Sequence, residues 1–301
     1  MTHPSGPRAV VPAFLAAFVD NAAIFPPAST DLDQAITDHE THRASEYAEL
    51  IGGFVVSDVK VADLATLTSV EERGPSVSKR SLQVNLVVTG GAGAIGPAVT
   101  WLSRSEGLGL RALEFALRDE EDLAHNARRL VQVVDSLEDA LEDVPIFAEP
   151  PMLRGAPAHG WLAALDELAA REIGLKFRTG GLSVDLFPGS TDLAKCIETA
   201  LDRELPFKCT AGLHHAVRNR DAETGFEHHG FLNVLLATRT SLDGASPAEV
   251  AEVLDDTHGA ELAARLSADP ALAARTRRWF TSFGSCSVLE AHDDLVELGL
   301  L

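Results

Sequence analysis

Eight short apolar runs alternate with longer amphipathic segments, and this alternation constrains the fold more than any other feature of the chain. The runs lie at 18–25, 53–58, 82–88, 110–117, 144–150, 173–180, 205–212 and 279–287. Successive strands separated by helix-length segments pair in parallel, because a parallel pair needs a crossover of a dozen residues or more. Such crossovers are right-handed. Eight units of this kind predict a closed (β/α)8 TIM barrel, with a six-stranded open sheet as the alternative. With 301 residues the chain reads as a single domain spanning 1–301.

The helical segments carry their own punctuation. One helix is expected from Asp31 and another from Asp119, where acidic residues suit the positive end of the helix dipole. "AVVPAFLAAFV" predicts a short N-terminal helix over residues 8–18 that closes one end of the fold. The last connection, residues 213–277, is much longer than one crossover helix requires, so a helical insertion between strands 7 and 8 is expected. It opens with the polar stretch "HHAVRNRDAETGFEHHG" and continues in helical segments from Phe231, Pro247 and Pro270. "FLNVLLA" could also be the eighth strand. A helix is preferred, because "SLDGASPAEV" reads as a helix stop followed by a capped start. An insertion of this length is enough for a lid over the barrel mouth.

Charge and cysteine usage narrow the function classes. A formal charge of −20 argues against nucleic acid, which repels an acidic surface. A small anionic substrate remains compatible, since a pocket can be locally basic. No apolar run reaches membrane-spanning length, so no membrane association is expected. Cys196, Cys209 and Cys286 are few, odd in number and lack metal-type spacing, which points to a reducing cytoplasm. The expected partner is a small molecule, with a homo-oligomer left open.

"VVTGGAGAIG" contains G-x-G-x-x-G at Gly91, Gly93 and Gly96, with Glu114 downstream where a ribose-binding carboxylate would sit. A dinucleotide fold normally opens with this fingerprint, yet here two βα units precede it. Short-chain dehydrogenase chemistry needs a Tyr and a Lys four apart. The only tyrosine, Tyr47, precedes the glycines and is followed four residues on by Ile51. The glycines are therefore read as a sharp turn from the third strand into its helix.

The stronger chemical signal lies in "GLKFRTGG" and "FKCTAGLHH". Lys176 and Arg178, two apart in a strand, project to one face, as do Lys208 and Thr210 on the next strand. Two amines side by side inside a barrel lower each other's pKa. A lysine that loses its proton near neutral pH can attack a carbonyl and form a Schiff base. Glu114, in "ALEFAL", adds a carboxylate that could shuttle protons.

These residues carry a family resemblance. "KFRTGGLSVDLFPGS" resembles the sixth-strand motif of deoxyribose-phosphate aldolases, K-x-x-T-G followed by V-[ND]-x-x-P. "KCTAG" is similar to that family's seventh-strand lysine motif, and "FGSCSVL" to its eighth-strand F-G-x-S-S turn. "FVDNAAIFPPAST" resembles its first strand, and "LEFAL" sits where the family has an Asp-bearing fourth strand. The matches run in order over most of the chain. The resemblance implies a class I aldolase-type lyase on a TIM barrel, with Lys176 as the Schiff-base lysine, Lys208 lowering its pKa and Glu114 replacing the acid/base Asp. It implies an anion site on the backbone amides of Gly180, Gly181, Gly212 and Ser285, assisted by the N-terminus of the final helix. Thr179, Thr210, His214, Ser287, Asp20 and Asn21 complete the expected substrate-binding set. The chain departs from the family in the longer Glu114, in Ala211 where the first of two glycines belongs, and in Arg178 where the family has a small hydroxyl residue. Arg178 could hold a carboxylate bidentately, which suggests a keto acid in place of a sugar phosphate.

No cofactor is expected on this reading. The alternative is a divalent metal held by His214, His215 and Asp20, with Glu227, His228 and His229 near in sequence, as in a metal-dependent lyase or isomerase. A third reading is a non-catalytic protein that binds an anion on the same scaffold. Cys209 alternates with Lys208 and is expected to face the helices. Cys286, with no evident base beside it, is expected to pack.

Overall fold

The structure, a computed structural model, describes residues 10–69, 81–118 and 121–301. Eight parallel strands close into a barrel: β1 Val19–Asn21, β2 Ile51–Ser57, β3 Leu82–Val88, β4 Leu108–Ala116, β5 Ile146–Glu149, β6 Gly174–Arg178, β7 Phe207–Thr210 and β10 Phe280–Ser285. Each of the eight apolar runs supplies one strand. Strand β1 pairs with both β10 and β2, so the sheet has no open edge and the open-sheet alternative is set aside. These runs are nearly continuous in apolar residues because the strands are covered on both faces. In β2 the first six residues are all buried.

The helices around the barrel are α1 Leu32–Ala44, α2 Val61–Leu67, α3 Ile95–Arg104, α4 Leu123–Ser136, α5 His159–Ala169, α6 Ser190–Asp202 and α11 Val288–Glu297. Helix α1 starts at the expected Asp31 cap. The expected start at Asp119 lies outside the described residues. Helix α4 begins at Leu123, where the Asp122 carboxylate accepts the His125 N–H at 2.9 Å.

The insertion contains a small antiparallel ribbon, β8 Asn219–Arg220 with β9 Glu227–His228, followed by α7 Phe231–Leu242, α8 Pro247–Asp255, α9 Gly259–Ala268 and α10 Pro270–Thr276. "FLNVLLA" is helix α7. Helix α8 starts with a complete capping box, Ser246 and Glu249 satisfying each other's backbone N–H groups. Helix α7 is buried against the barrel wall, where Phe231 stacks on Phe283 at 4.7 Å and meets Phe18 edge-on at 6.0 Å. Each such fully buried ring contributes about 1.5–3 kcal/mol. The ribbon lies beside the β6–α6 loop, with Phe226 and His228 at 5.4 and 4.6 Å from Phe187.

The N-terminal segment is not the helix expected over residues 8–18. Residues 8 and 9 lie outside the described part, and the rest forms one 3-10 turn, Ala13–Leu15. Pro12 has no N–H to extend a helix backward and biases Val11 toward an extended conformation. After Ala17, at φ 49°, the chain is already bonded as a strand. Ala17 and Phe18 donate to the carbonyls of Glu49 and Leu50. Arg277 fastens this end by donating to the carbonyls of Phe14 and Ala16, its guanidinium 3.9 Å above the Phe18 ring.

Among the described residues, no helix is long and apolar enough to cross a membrane.

Candidate active site

Strand parity places Lys176 and Lys208 on the inner face of the barrel, opposite each other in register. Both are buried, and three carboxylates from other strands meet them. The Lys208 Nζ donates to Asp20 Oδ2 at 2.7 Å and to Glu114 Oε1 at 2.5 Å. The Lys176 Nζ lies 2.8 Å from Glu114 Oε2 and 3.0 Å from Glu149 Oε2. Glu114 thus bridges the two lysines. Glu149, at the end of β5, bridges Lys176 to Arg178, whose Nε is 2.9 Å from its Oε1. Asp20 also accepts from the Gly53 N–H at 2.8 Å and the Ser282 hydroxyl at 2.7 Å.

The cluster balances three cations against three carboxylates, and this decides the resting protonation state. Burial by itself pushes the Lys176 pKa down, and Lys208 adds to that push, as expected. Glu114 and Glu149 outweigh both and hold Lys176 above its ordinary value. Lys208 is raised in the same way: burial opposes its charge, but Asp20 and Glu114 prevail. Burial raises Glu114, yet the two ammonium groups bring it down to about 2. The expectation that a second lysine frees Lys176 of its proton is corrected here, because the carboxylates of Glu114 and Glu149, on two other strands, reverse the balance.

Above this cluster a cavity of about 530 Å³ opens at the C-terminal ends of the strands. Glu114, Lys176, Arg178, Gly181, Lys208, Thr210 and His214 line it, together with Arg118, Glu149 and Cys286. The remaining expected substrate-binding residues do not. Asp20 lies beneath Lys208 as its counter-ion. Asn21, of opposite parity, turns outward to the His39 ring at 3.3 Å. Strand β6 ends at Arg178, so parity no longer governs Thr179, whose hydroxyl donates to the backbone carbonyls of Thr210 and Ala211. Gly180 and Gly212 are packed against each other. A Cβ on Gly212 would come within 2.7 Å of the Thr179 carbonyl oxygen, and its φ of +74° suits glycine. The Ser285 hydroxyl is occupied within its own turn, donating to the Ser287 carbonyl. Ser287 caps α11 by accepting the Glu290 N–H.

The histidines do not gather as a metal site would require. His214 pairs with Glu290 at 2.8 Å, His215 with Asp294 at 3.1 Å, and Asp20 is committed to Lys208. His229, buried, contacts Arg218 and the Pro188 carbonyl. Among the described residues no group of three or more His, Cys, Asp or Glu side chains could hold a metal ion.

The glycine stretch forms the turn from β3 into α3. The two residues that lead into it are held by Asp58, whose carboxylate accepts from the Thr89 N–H at 3.0 Å, the Thr89 hydroxyl at 2.6 Å and the Gly90 N–H at 3.1 Å. Gly91, at φ +80°, makes the bend.

Sequence reasoning missed Glu149, Arg118 and the setting of Cys286. Glu149 left a usable signal, an acidic residue closing an apolar run just before "PP". No family model matches the chain, and no curated protein matches it.

Proposed function

We propose that the chain is a class I aldolase-type lyase, forming a Schiff base at Lys176 with a small anionic carbonyl compound such as a sugar phosphate or keto acid. The observation that carries this reading is the placement of the Lys176 ammonium between Glu114 and Glu149 at the floor of a cavity open to solvent. A protonated imine keeps one positive charge on the same nitrogen. The carboxylates that hold the ammonium therefore also favour the iminium, with no reorganisation at the moment of reaction.

The step balances without a cofactor. The ammonium passes a proton to a neighbouring carboxylate, and the free amine attacks the carbonyl carbon. The resulting carbinolamine oxygen collects two protons from the original ammonium and leaves as water. The iminium then accepts the electron pair released when the adjacent carbon–carbon bond breaks. Glu149 lines the cavity and touches both Lys176 and Arg178, so it suits the proton transfers at the substrate. Glu114 links the two lysines and suits exchange between them. Arg118, Arg178 and His214 give the mouth a cationic wall on a protein of net charge −20, which favours an anionic substrate.

The test is imine trapping. The protein is incubated with aldehydes, sugar phosphates and 2-keto acids, reduced with borohydride, and mapped by mass spectrometry. An adduct on Lys176 that disappears in Lys176→Ala supports the reading and narrows the substrate. Folded protein that yields no adduct with any compound sinks it.

A further inference from the structure

Cys286 and His214 stand together on the cavity wall, outside the lysine cluster. The Cys286 Sγ lies 3.8 Å from His214 Nε2 and 3.9 Å from Nδ1, so the sulfur sits beside the ring, within charge-pairing distance of both nitrogens. Glu290, in the first turn of α11, fixes the imidazole by accepting from Nδ1 at 2.8 Å. Cys286 itself lies just before the N-terminus of α11, a ten-residue helix capped by Ser287. A helix N-terminus and a neighbouring histidine are among the settings in which reactive cysteines are found.

We propose that Cys286, with His214 and Glu290, is a second nucleophilic site of this cavity, one that takes small aldehydes reversibly as hemithioacetals. The sulfur attacks the carbonyl carbon and forms a C–S bond. The C=O π pair moves to oxygen, and the His214 imidazolium supplies the proton that completes the hydroxyl. The net change is addition of S–H across C=O, with no leaving group and no redox partner. The choice of an aldehyde rests on the proposed function; the reactivity of the sulfur does not.

The charges around His214 support a standing imidazolium. Burial lowers its pKa, but Cys286 and Glu290 carry it up to about 9. The other titratable group facing it is His228 on β9, with ring centroids 6.4 Å apart. Burial and then the His214 charge hold His228 below its ordinary value. The other two cysteines provide an internal control. Cys196 and Cys209 are buried, and burial drives both thiols up, Cys196 to about 12.

The first experiment labels the full chain with iodoacetamide at pH 7 and reads each cysteine by peptide mass spectrometry. Cys286 is expected to be the labelled residue, reacting about tenfold faster than free cysteine, with His214→Asn removing most of that advantage and Glu290→Gln part of it. Labelling at the free-cysteine rate, unchanged in both variants, overturns the proposal. The second experiment adds acetaldehyde. It is expected to slow Cys286 labelling in the wild type and equally in Lys176→Met, and labelling is expected to recover when the aldehyde is removed. Protection that vanishes in Lys176→Met places the adduct on the lysine and overturns the hemithioacetal. If Lys176→Met does not fold, borohydride decides in the wild type. A reduced imine keeps Cys286 shielded after the aldehyde is washed out, whereas a hemithioacetal is not reduced and labelling returns. Absence of any Lys176 adduct leaves both readouts intact, so failure of the aldolase reading is distinguishable from failure of this one.

Discussion

Replacing Glu114 by Gln tests the charge balance of the barrel interior directly. The side chain is buried and accepts from Lys176 at 2.8 Å and from Lys208 at 2.5 Å. The amide keeps the shape but leaves three cations facing the two carboxylates of Asp20 and Glu149. Removing one partner of a buried ion pair costs about 3–5 kcal/mol, because a buried charge is left uncompensated. With 301 residues and an unfolding entropy of about 2.1 cal/mol/K per residue, that is a fall in Tm of about 5–8 °C. The pH dependence is the sharper signature. In the wild type, the lysines are raised from 10.5 and contribute stability below that pH, lost as pH rises through their folded values. Glu114 and Glu149 are lowered from 4.5 and contribute above that pH, lost as pH falls through their folded values. The cluster's contribution is therefore flat between about pH 5 and 10. In the variant, one lysine faces a net positive interior and its folded pKa drops below the unfolded one. The unfolded state then binds more protons between the two values, so stability rises with pH there, where the wild type is flat. Differential scanning fluorimetry of both proteins at pH 6, 7.5 and 9 measures this. Parallel profiles, or a loss at pH 6 of less than about 1 °C, would refute the reasoning.

Neighbouring residues after β7 should respond to mutation with opposite signs. Ala211 sits at φ 60°, where a Cβ is disfavoured, so Ala211→Gly should stabilise by about 1 kcal/mol in urea unfolding. Gly212→Ala adds a Cβ at φ +74° against the Thr179 carbonyl and should cost more than about 2 kcal/mol; equal effects of the two would contradict the assigned backbone. Asp58 places a carboxylate on the Thr89 and Gly90 amides at the entry to the glycine turn, where it would repel a pyrophosphate, so titration with NADH should give no saturable fluorescence change, and saturable binding would reopen the dinucleotide reading. Asp58→Ala should destabilise by about 1–2 kcal/mol through the unpaired Thr89 and Gly90 N–H groups.

What the sequence determined by itself is local and periodic. The eight strands announce themselves as apolar runs because a strand covered on both faces is mostly apolar, apart from the few charged residues that meet inside the barrel. The capping box at Ser246 was legible for a similar reason, since its partners lie three residues apart. Strand parity sufficed to put Lys176 with Arg178 and Lys208 with Thr210 on one face, and Cys209 on the other. Parity stops where a strand stops, and there the tertiary structure took over. Thr179, Ser285 and Ser287 lie beyond strand interiors and are spent on turns. Three-residue β1 decides between Asp20 inside and Asn21 outside only through its register with β10 and β2. Nothing near Cys286 in sequence reveals His214, which lies 72 residues away. The protonation of Lys176 could not be read from two lysines on adjacent strands. It depends on the carboxylates that the folded sheet brings within 3.0 Å, Glu149 from the neighbouring β5 and Glu114 from β4, two strands away.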